Sequence, residues 1–331
     1  MKNFTPASIT LTTSILLSLS AYAADSGIPR TADGKPDLQG IWSNATQTPL
    51  ERPAEFGNVG FLTLDQKETQ EASWRQVINN RAQPSDPERE APTAGRSVGG
   101  YNNFWVDRGT DVIEINGEYR TSIIVDPADG QIPYVENWRG RDIRSQFRAM
   151  PDVEPYDGPE LRPLGERCLL AFGSSSGPPM MPVMYNNNYQ IVQTEDYLMI
   201  QVEMVHDTRI IPIDGAHNSK YAKWMGDSVG HWENDTLVVE TVGLHPYQSR
   251  WGFTENAKIT EHFNLLEDNK IRYTFTIEDP DTYRQSWTGE IAMNRRPDDS
   301  RMYEYACHEG NYAFPAILGG ARRLEAENAA N

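Results

Sequence analysis

The second half of the chain alternates apolar and polar residues with a period of two. Over residues 270–278, for example, Tyr273, Phe275 and Ile277 share one face and mostly polar residues share the other. Half-buried antiparallel strands give this pattern because successive side chains point to opposite faces. Similar runs separated by turn residues predict about eight antiparallel strands. Besides 270–278 they cover 189–194, 197–205, 208–213, 236–241, 257–265, 284–293 and 301–307.

A sheet of this kind can close into a barrel, which removes its edges and leaves room for one small ligand. Gly-x-Trp occurs at 40–42 and at 230–232, each time followed by strand-like sequence. Gly-x-Trp near a first strand resembles the opening of the lipocalin superfamily. We therefore predict a mainly β protein, with an antiparallel lipocalin-like barrel over 111–318. An irregular, partly helical N-terminal cap is predicted over 24–110, and a flexible tail over 319–331.

Two local signals predict individual elements of the first half. Asn-Gly at 116–117 lies between the strand-like runs 111–115 and 119–125, and this dipeptide favours a two-residue hairpin turn. Thr-Leu-Asp-Gln at 63–66 is a capping-box pattern. It predicts a helix over 64–79 with Trp74, Val77 and Ile78 on its inner face.

The remaining segments of the first half are less regular. Residues 80–100 are polar with three prolines and predict a mobile loop. Residues 138–150 carry four arginines at or near helical spacing and predict a short helix, whereas 151–165 is Pro-rich and irregular.

The first 23 residues have the features of a signal peptide. Lys2 is followed by a mostly apolar run at 9–19 that is too short to span a bilayer, and Ala-Tyr-Ala at 21–23 suits signal-peptidase cleavage. No cysteine lies nearby, so no lipid anchor is expected. The sequence predicts an exported soluble protein, periplasmic or secreted.

Charge and motif content exclude several classes of protein. The chain has 30 basic and 47 acidic residues, a net charge of −17, which would repel nucleic acid. The later sequence contains no run of 18 apolar residues, so no membrane span is predicted. Gly-x-Gly-x-x-Gly and Walker motifs are absent, so a nucleotide cofactor is not expected.

The two cysteines, Cys168 and Cys307, are predicted to form a disulfide. An even count in an exported chain favours this pairing, and closing so long a loop contributes roughly 4–5 kcal/mol in the chain-entropy model. Two buried free thiols are the alternative. A catalytic thiol is disfavoured in an oxidising compartment.

Several segments resemble an uncharacterised family of exported bacterial proteins. The resemblance covers most of residues 100–320 and implies no chemistry, because the family has no assigned reaction from which catalytic residues could be transferred. The segments that carry it are 101–105, 155–160, 164–168, 185–189 and 305–312.

The strongest candidate for chemistry surrounds the predicted disulfide. If Cys168 and Cys307 are bonded, His308 and Glu309 come close to Glu166 and Arg167, and such a group could shift pKa values and support acid–base catalysis. We expect His308 in a pocket beside Glu309 or Glu166, acting as general acid or base. The alternative is a structural ion-pair cluster.

Glu203 and His206 form a second candidate. Strand alternation places Glu203, Asp207 and Arg209 on one face and His206 on the other, but a bend near His206 would bring His206 and Glu203 together as a general base. The alternative is a hairpin end with solvated charges.

Other motifs carry weaker signals. Gly-Ser-Ser-Ser-Gly at 173–177 matches the nucleophile elbow, but two prolines follow where that motif needs a helix, so a loop is favoured. The six histidines show no metal-binding spacing and paired cysteines are lacking, so structural zinc is excluded and no metal ligands are named. A catalytic metal site assembled from distant His and Glu residues stays open as an alternative. Asn186 to Asn188 could line a sugar or aromatic pocket, although a turn is the simpler interpretation.

These observations lead to two hypotheses for function. One is an exported enzyme, a lyase, isomerase or hydrolase, that uses His and carboxylate acid–base catalysis on a small organic molecule without a cofactor. The other is a periplasmic binding or carrier protein for an apolar or aromatic ligand. Ionisable side chains converging inside the barrel would favour the enzyme, and an apolar lining would favour the carrier.

Overall fold

The computed structural model describes residues 27–84, 87–88, 90, 106–138, 150–171, 175–218, 220–245, 248 and 252–330. Two helices are assigned in these ranges, α1 at Leu64–Ala82 and α2 at Ala313–Ala329. Numbered β1 to β13, the strands of these ranges are Gly40–Ser43, Phe61–Leu62, Glu114–Ile115, Glu118–Arg120, Ile124–Asp126, Asn188–Gln193, Tyr197–Val202, Thr208–Pro212, Asp227–Glu233, Thr236–Val242, Lys258–Glu267, Lys270–Glu278 and Trp287–Arg295.

The molecule is mainly β, with a nearly closed antiparallel barrel. Nine strands follow the order β8-β7-β6-β1-β13-β12-β11-β10-β9, and β5 adds to β13. The two ends of this sheet meet through a single parallel bridge between Ile213 and Gly230, where Asp214 N donates to Gly230 O at 2.7 Å. The predicted barrel fold is therefore confirmed.

Side chains that point inward fill the barrel. In β12 the inner face carries Tyr273, Phe275 and Ile277, all fully buried, as the period-two pattern predicts. Trp42 of the first Gly-x-Trp triplet is also fully buried, and the Arg295 guanidinium lies 4.2 Å from the centre of its ring. Large side chains with no solvent exposure leave these interior positions without space for a ligand.

The cap, which in the structure also includes β3 and β4, packs on the outside of the barrel. Strands β2, β4 and β3 form a small separate sheet, and α1 lies beside it. The cap covers the outer face of β13, so the outward-facing Glu290 and Ala292 are buried at 1% and 5% exposure. Arg120 of the cap donates to Glu290 at 2.7 Å, which fastens the cap to the barrel.

The predicted hairpin is present but shorter than expected. Strands β3 and β4 pair around Asn116 and Gly117, whose φ angles of 54° and 79° fit the predicted two-residue turn. The segment beyond β4 leaves the hairpin, and β5 pairs with β13 of the barrel.

Helix α1 begins where the capping box predicts. The Thr63 side chain accepts from Gln66 N, and the Gln66 side chain accepts from Thr63 N at 2.8 Å. The inner face differs from the prediction, because the buried residue is Glu71, whereas Ile78 is 40% exposed. Trp74 and Val77 are half-buried. The helix contacts a polar part of the cap, so a carboxylate takes the central position.

Four segments differ from the sequence prediction. Residues 301–307 form no strand, and β9 lies where no separate strand was predicted. Strand β1 comes from the segment assigned to the cap, yet it lies between β6 and β13 in the barrel. The predicted flexible tail is largely helical, because α2 continues to Ala329.

Some predictions fall outside the described residues. These are the signal peptide at 1–23, most of the loop at 80–100, the family segment 101–105 and nearly all of the helix at 138–150. Across the residues that are described, neither helix combines the length and apolar character needed to cross a bilayer.

Candidate functional site

The predicted disulfide is confirmed. Cys168 and Cys307 are bonded, with Cα atoms 5.7 Å apart, and join the loop before β6 to the segment before α2. Asn311 reinforces this junction by donating from Nδ2 to the Glu166 carbonyl at 3.3 Å. A cavity of about 240 Å³ beside it is lined by Gly165, Glu166, Tyr305, Cys307, Asn311, Ala313, Phe314 and Ile317.

The side chains predicted around this disulfide do not form the expected pocket. His308 and Glu309 are exposed and do not line the cavity. Glu166 instead forms a two-pronged ion pair with Arg162, at 2.9 and 3.0 Å, and Arg167 is half-buried. His308 therefore does not line the cavity beside the disulfide, because a disulfide fixes the distance between two backbones and not the direction of neighbouring side chains. Its role as general acid or base stays a prediction.

Glu203 and His206 lie on a tight turn between β7 and β8. Buried Glu203 accepts from Asn188 Nδ2 at 2.7 Å and from Tyr303 N at 3.1 Å. Exposed His206 places Nδ1 3.2 Å from the Tyr305 carbonyl oxygen. The bend predicted near His206 is present, but each side chain contacts the C-terminal segment and no hydrogen bond joins the two side chains in the structure as described.

Asp207 follows this turn and is mostly buried. Its Oδ2 accepts from the Ser176 hydroxyl and from Ala171 N at 3.0 Å, and burial raises the pKa of the carboxyl group. Gly173 and Ser174 of the elbow motif lie outside the described residues, whereas Ser175 and Ser176 are buried. Their hydroxyl groups are not presented to solvent as a nucleophile elbow requires.

A polar cluster occupies the barrel interior. Arg209 donates to both carboxylate oxygens of Glu261, at 3.0 and 2.5 Å, and Tyr273 donates to Glu261 at 2.6 Å. All three side chains are buried. Met180 N, in the loop before β6, donates to the Tyr273 hydroxyl at 3.0 Å. Ionisable groups do converge inside the barrel, but they bind one another.

Two larger cavities lie between the cap and the outer face of the barrel. One cavity of about 470 Å³ is lined by two lysines, Lys67 of α1 and Lys270 of β12, so we call it the lysine compartment. It is lined by Ala45, Thr46, Lys67, Glu71, Asp111, Val112, Ile113, Glu114, Tyr119, Lys270, Ala292 and Asn294.

The charged groups of the lysine compartment are held in pairs. Lys67 binds Glu71 at 3.1 Å, and this hydrogen bond raises the pKa of the Lys67 ammonium. Lys270 binds Glu114, and that bond lowers the pKa of the Glu114 carboxyl group. Lys67 therefore stays protonated and Glu114 stays ionised at neutral pH, which makes these two side chains binding groups and poor proton carriers.

A second cavity of about 410 Å³ adjoins the first and shares Ala45, Asp111 and Asn294 with it. Three arginines line it, so we call it the arginine compartment. The Arg295 guanidinium lies over the Trp42 ring and donates to the main-chain carbonyl groups of Asp268 and Gln39. Arg108 and Arg296 are exposed, and their guanidinium groups have no partner among the described residues.

Together the two compartments form what we call the cap–barrel cleft. Five basic and four acidic side chains line it, in a chain whose net charge is −17. The cleft is thus a locally basic surface on an acidic protein, and such a surface concentrates small anions. Two unpaired guanidinium groups provide the planar donors that bind carboxylate oxygens in pairs.

Sequence reasoning missed this cleft entirely. Its charged groups come from helix α1, from the segment before β3, from β3, from β12 and from the end of β13 and the residue that follows it. No local motif links positions so far apart in the chain. The described residues also contain no group of His, Cys, Asp and Glu side chains suited to hold a metal ion.

Comparisons with known proteins do not assign an activity. No model of a known protein family matches the chain, and no curated protein matches it. The function must therefore be argued from the cap–barrel cleft and from the turn between β7 and β8.

Proposed function

We propose that this chain is an exported binding protein that holds a small organic anion in the cap–barrel cleft. The observation that carries the proposal is a pair of arginines, Arg108 and Arg296, whose guanidinium groups have no partner among the described residues and which line a cleft of suitable size. Small-molecule sites are typically clefts of about 300–1,000 Å³ with a few converging polar groups. The disulfide and the signal-peptide pattern of residues 1–23 support export.

A binding role is favoured over catalysis at this site. The Lys67 ammonium and the Glu114 carboxylate are stabilised in their charged forms, whereas acid–base catalysis needs groups with pKa values near the working pH. The filled barrel interior also argues against the carrier hypothesis in its original form, with an apolar ligand inside the barrel. The proposed ligand is anionic and lies outside the barrel wall.

Calorimetric titration of the purified protein with a panel of small carboxylates tests the proposal. The panel contains acetate, succinate, benzoate, cyclohexanecarboxylate and D-glucuronate at fixed ionic strength. At least one acid should bind, and Arg108→Ala combined with Arg296→Ala should weaken that acid by about ten- to a hundredfold. Arg301→Ala is the matched control, because Arg301 is exposed and lines neither compartment.

Two results would contradict the proposal. One is the absence of binding by every acid at millimolar concentration. The other is equal affinity in the double variant and the control. Mass spectrometry of the recovered ligand separates a binding protein, which returns it unchanged, from an enzyme that consumes it.

A second candidate function, acid–base catalysis, rests on His206 and Asp207 at the turn between β7 and β8. Asp207 is mostly buried with a raised pKa, and His206 beside it places Nδ1 against the Tyr305 carbonyl, while Nε2 has no hydrogen bond to any residue that the structure describes. Asp207→Asn and His206→Gln should each remove turnover of any panel acid that the protein consumes, with the fold intact by circular dichroism. If the wild-type protein consumes none of them, this candidate fails.

A further inference from the structure

Building on the proposed binding function, we infer that the ligand of the cap–barrel cleft is a hexuronate, a six-carbon sugar ring bearing one carboxylate. The inference rests on the different chemistry of the two adjoining compartments. It names the ligand class that the proposed function leaves open.

The arginine compartment suits the carboxylate end of such a molecule. Three arginines and two aspartates, Asp107 and Asp111, line it, and two of the arginines have no partner among the residues that are described. A carboxylate there would accept from guanidinium groups, which is the strongest hydrogen bonding that the cleft offers.

The lysine compartment does not suit a second carboxylate. Glu71, Glu114 and Asp111 outnumber Lys67 and Lys270, so an anion would meet an excess of negative charge. Neutral hydroxyl groups suit it better, because each can donate to a carboxylate and accept from an ammonium group. Tyr119 adds a hydroxyl group for which no hydrogen bond is found in the described part of the chain.

Size and connection favour one sugar ring. The two cavities share Ala45, Asp111 and Asn294, so the acidic and the hydroxylated parts of the ligand must be close neighbours. A uronate meets this condition because its carboxylate is attached directly to a ring that carries the hydroxyl groups. A cavity of about 470 Å³ is large enough for one such ring.

Calorimetry of the full chain with three ligands separates the contribution of the carboxylate from that of the hydroxyl groups. D-glucuronate has both features, cyclohexanecarboxylate has a ring and the carboxylate without hydroxyl groups, and D-glucose has the hydroxyl groups without the carboxylate. We expect D-glucuronate to bind at least about tenfold more tightly than either, because only it fills both compartments.

Two variants assign the compartments. Tyr119→Phe should weaken D-glucuronate by about three- to tenfold, the effect of one hydrogen bond, without weakening cyclohexanecarboxylate. Arg296→Ala should weaken both acids by the same factor. Tyr221→Phe is the matched control, because Tyr221 is 81% exposed and does not line the cleft, and it should leave every affinity unchanged.

A further arm compares D-galacturonate with its linear trimer. Tighter binding of the trimer identifies the end of an acidic polysaccharide as the source of the uronate, and equal or weaker binding identifies the free sugar acid.

The outcomes separate this inference from the proposed function. If cyclohexanecarboxylate binds as tightly as D-glucuronate and Arg296→Ala weakens it, the anion site stands and the hexuronate inference is overturned. An unchanged D-glucuronate affinity in Tyr119→Phe also overturns the hexuronate inference. If neither acid binds, both proposals fall.

Discussion

Buried charge is concentrated in a few residues, and Glu261 shows what such a residue does for stability. Its carboxylate lies inside the barrel with no solvent exposure, bound by Arg209 and Tyr273. Removing one member of a buried ion pair leaves the other charge uncompensated, which typically costs about 3–5 kcal/mol.

Glu261→Gln should therefore lower the free energy of unfolding by about 3–5 kcal/mol in urea denaturation. Glu261→Leu combined with Arg209→Met should be more stable than Glu261→Gln, because no buried charge remains. Stability within 0.5 kcal/mol of wild type for Glu261→Gln would show that Arg209 finds another partner or water.

The directions of the candidate side chains could not be predicted from the sequence, for a physical reason. The sequence indicates which residues can ionise, but the direction of a side chain on an irregular segment depends on packing. His308 follows a correctly predicted disulfide cysteine and nevertheless points to solvent. Arg108 and Arg296 carry no distinguishing pattern, and only the fold brings them to one cleft.

Individual elements follow local sequence where local chemistry decides them. The capping box at Thr63 and the Asn-Gly turn at 116–117 are both confirmed, since each satisfies its own backbone. Strand β9 was missed because its inward positions include Ser228 and Gly230, which weaken the period-two pattern. Helix α2 forms despite Gly319 and Gly320, because Phe314, Ile317, Leu318 and Ala321 recur at helical spacing and are half-buried.

The contribution of the capping box can be measured directly. Thr63→Ala should lower the free energy of unfolding by about 1 kcal/mol, because Gln66 N loses its acceptor. Thr63→Ser keeps the hydroxyl group and should retain most of this stability. Equal unfolding midpoints for the two variants would mean that the end of α1 contributes nothing to global stability.

At the scale of the whole molecule, the ionisable groups predict how stability depends on pH. Burial lowers the pKa of His245 and His262 below the ordinary value of 6.5. The unfolded chain therefore binds these protons first, and stability should fall as the pH drops below 6.5. Asp207 acts in the opposite direction, because its raised pKa favours proton uptake by the folded state.

A second loss of stability is expected at lower pH. Partners hold the pKa of Glu114, Asp227, Asp235 and Glu240 below ordinary values, so the stability that they supply is present above the unfolded pKa of about 4 and is lost as the pH falls through the folded values. Urea denaturation at a series of pH values should show both losses. His262→Gln should reduce only the first, and a profile unchanged between pH 7 and pH 5 would contradict the assignment.

A crystal structure with D-glucuronate is the most direct test of whether an organic anion binds in the cap–barrel cleft. We expect the carboxylate beside Arg108 and Arg296, and the sugar ring in the lysine compartment near Tyr119. D-glucuronate bound at the β7–β8 turn beside His206 and Asp207, with the cleft empty, would contradict the proposed binding site.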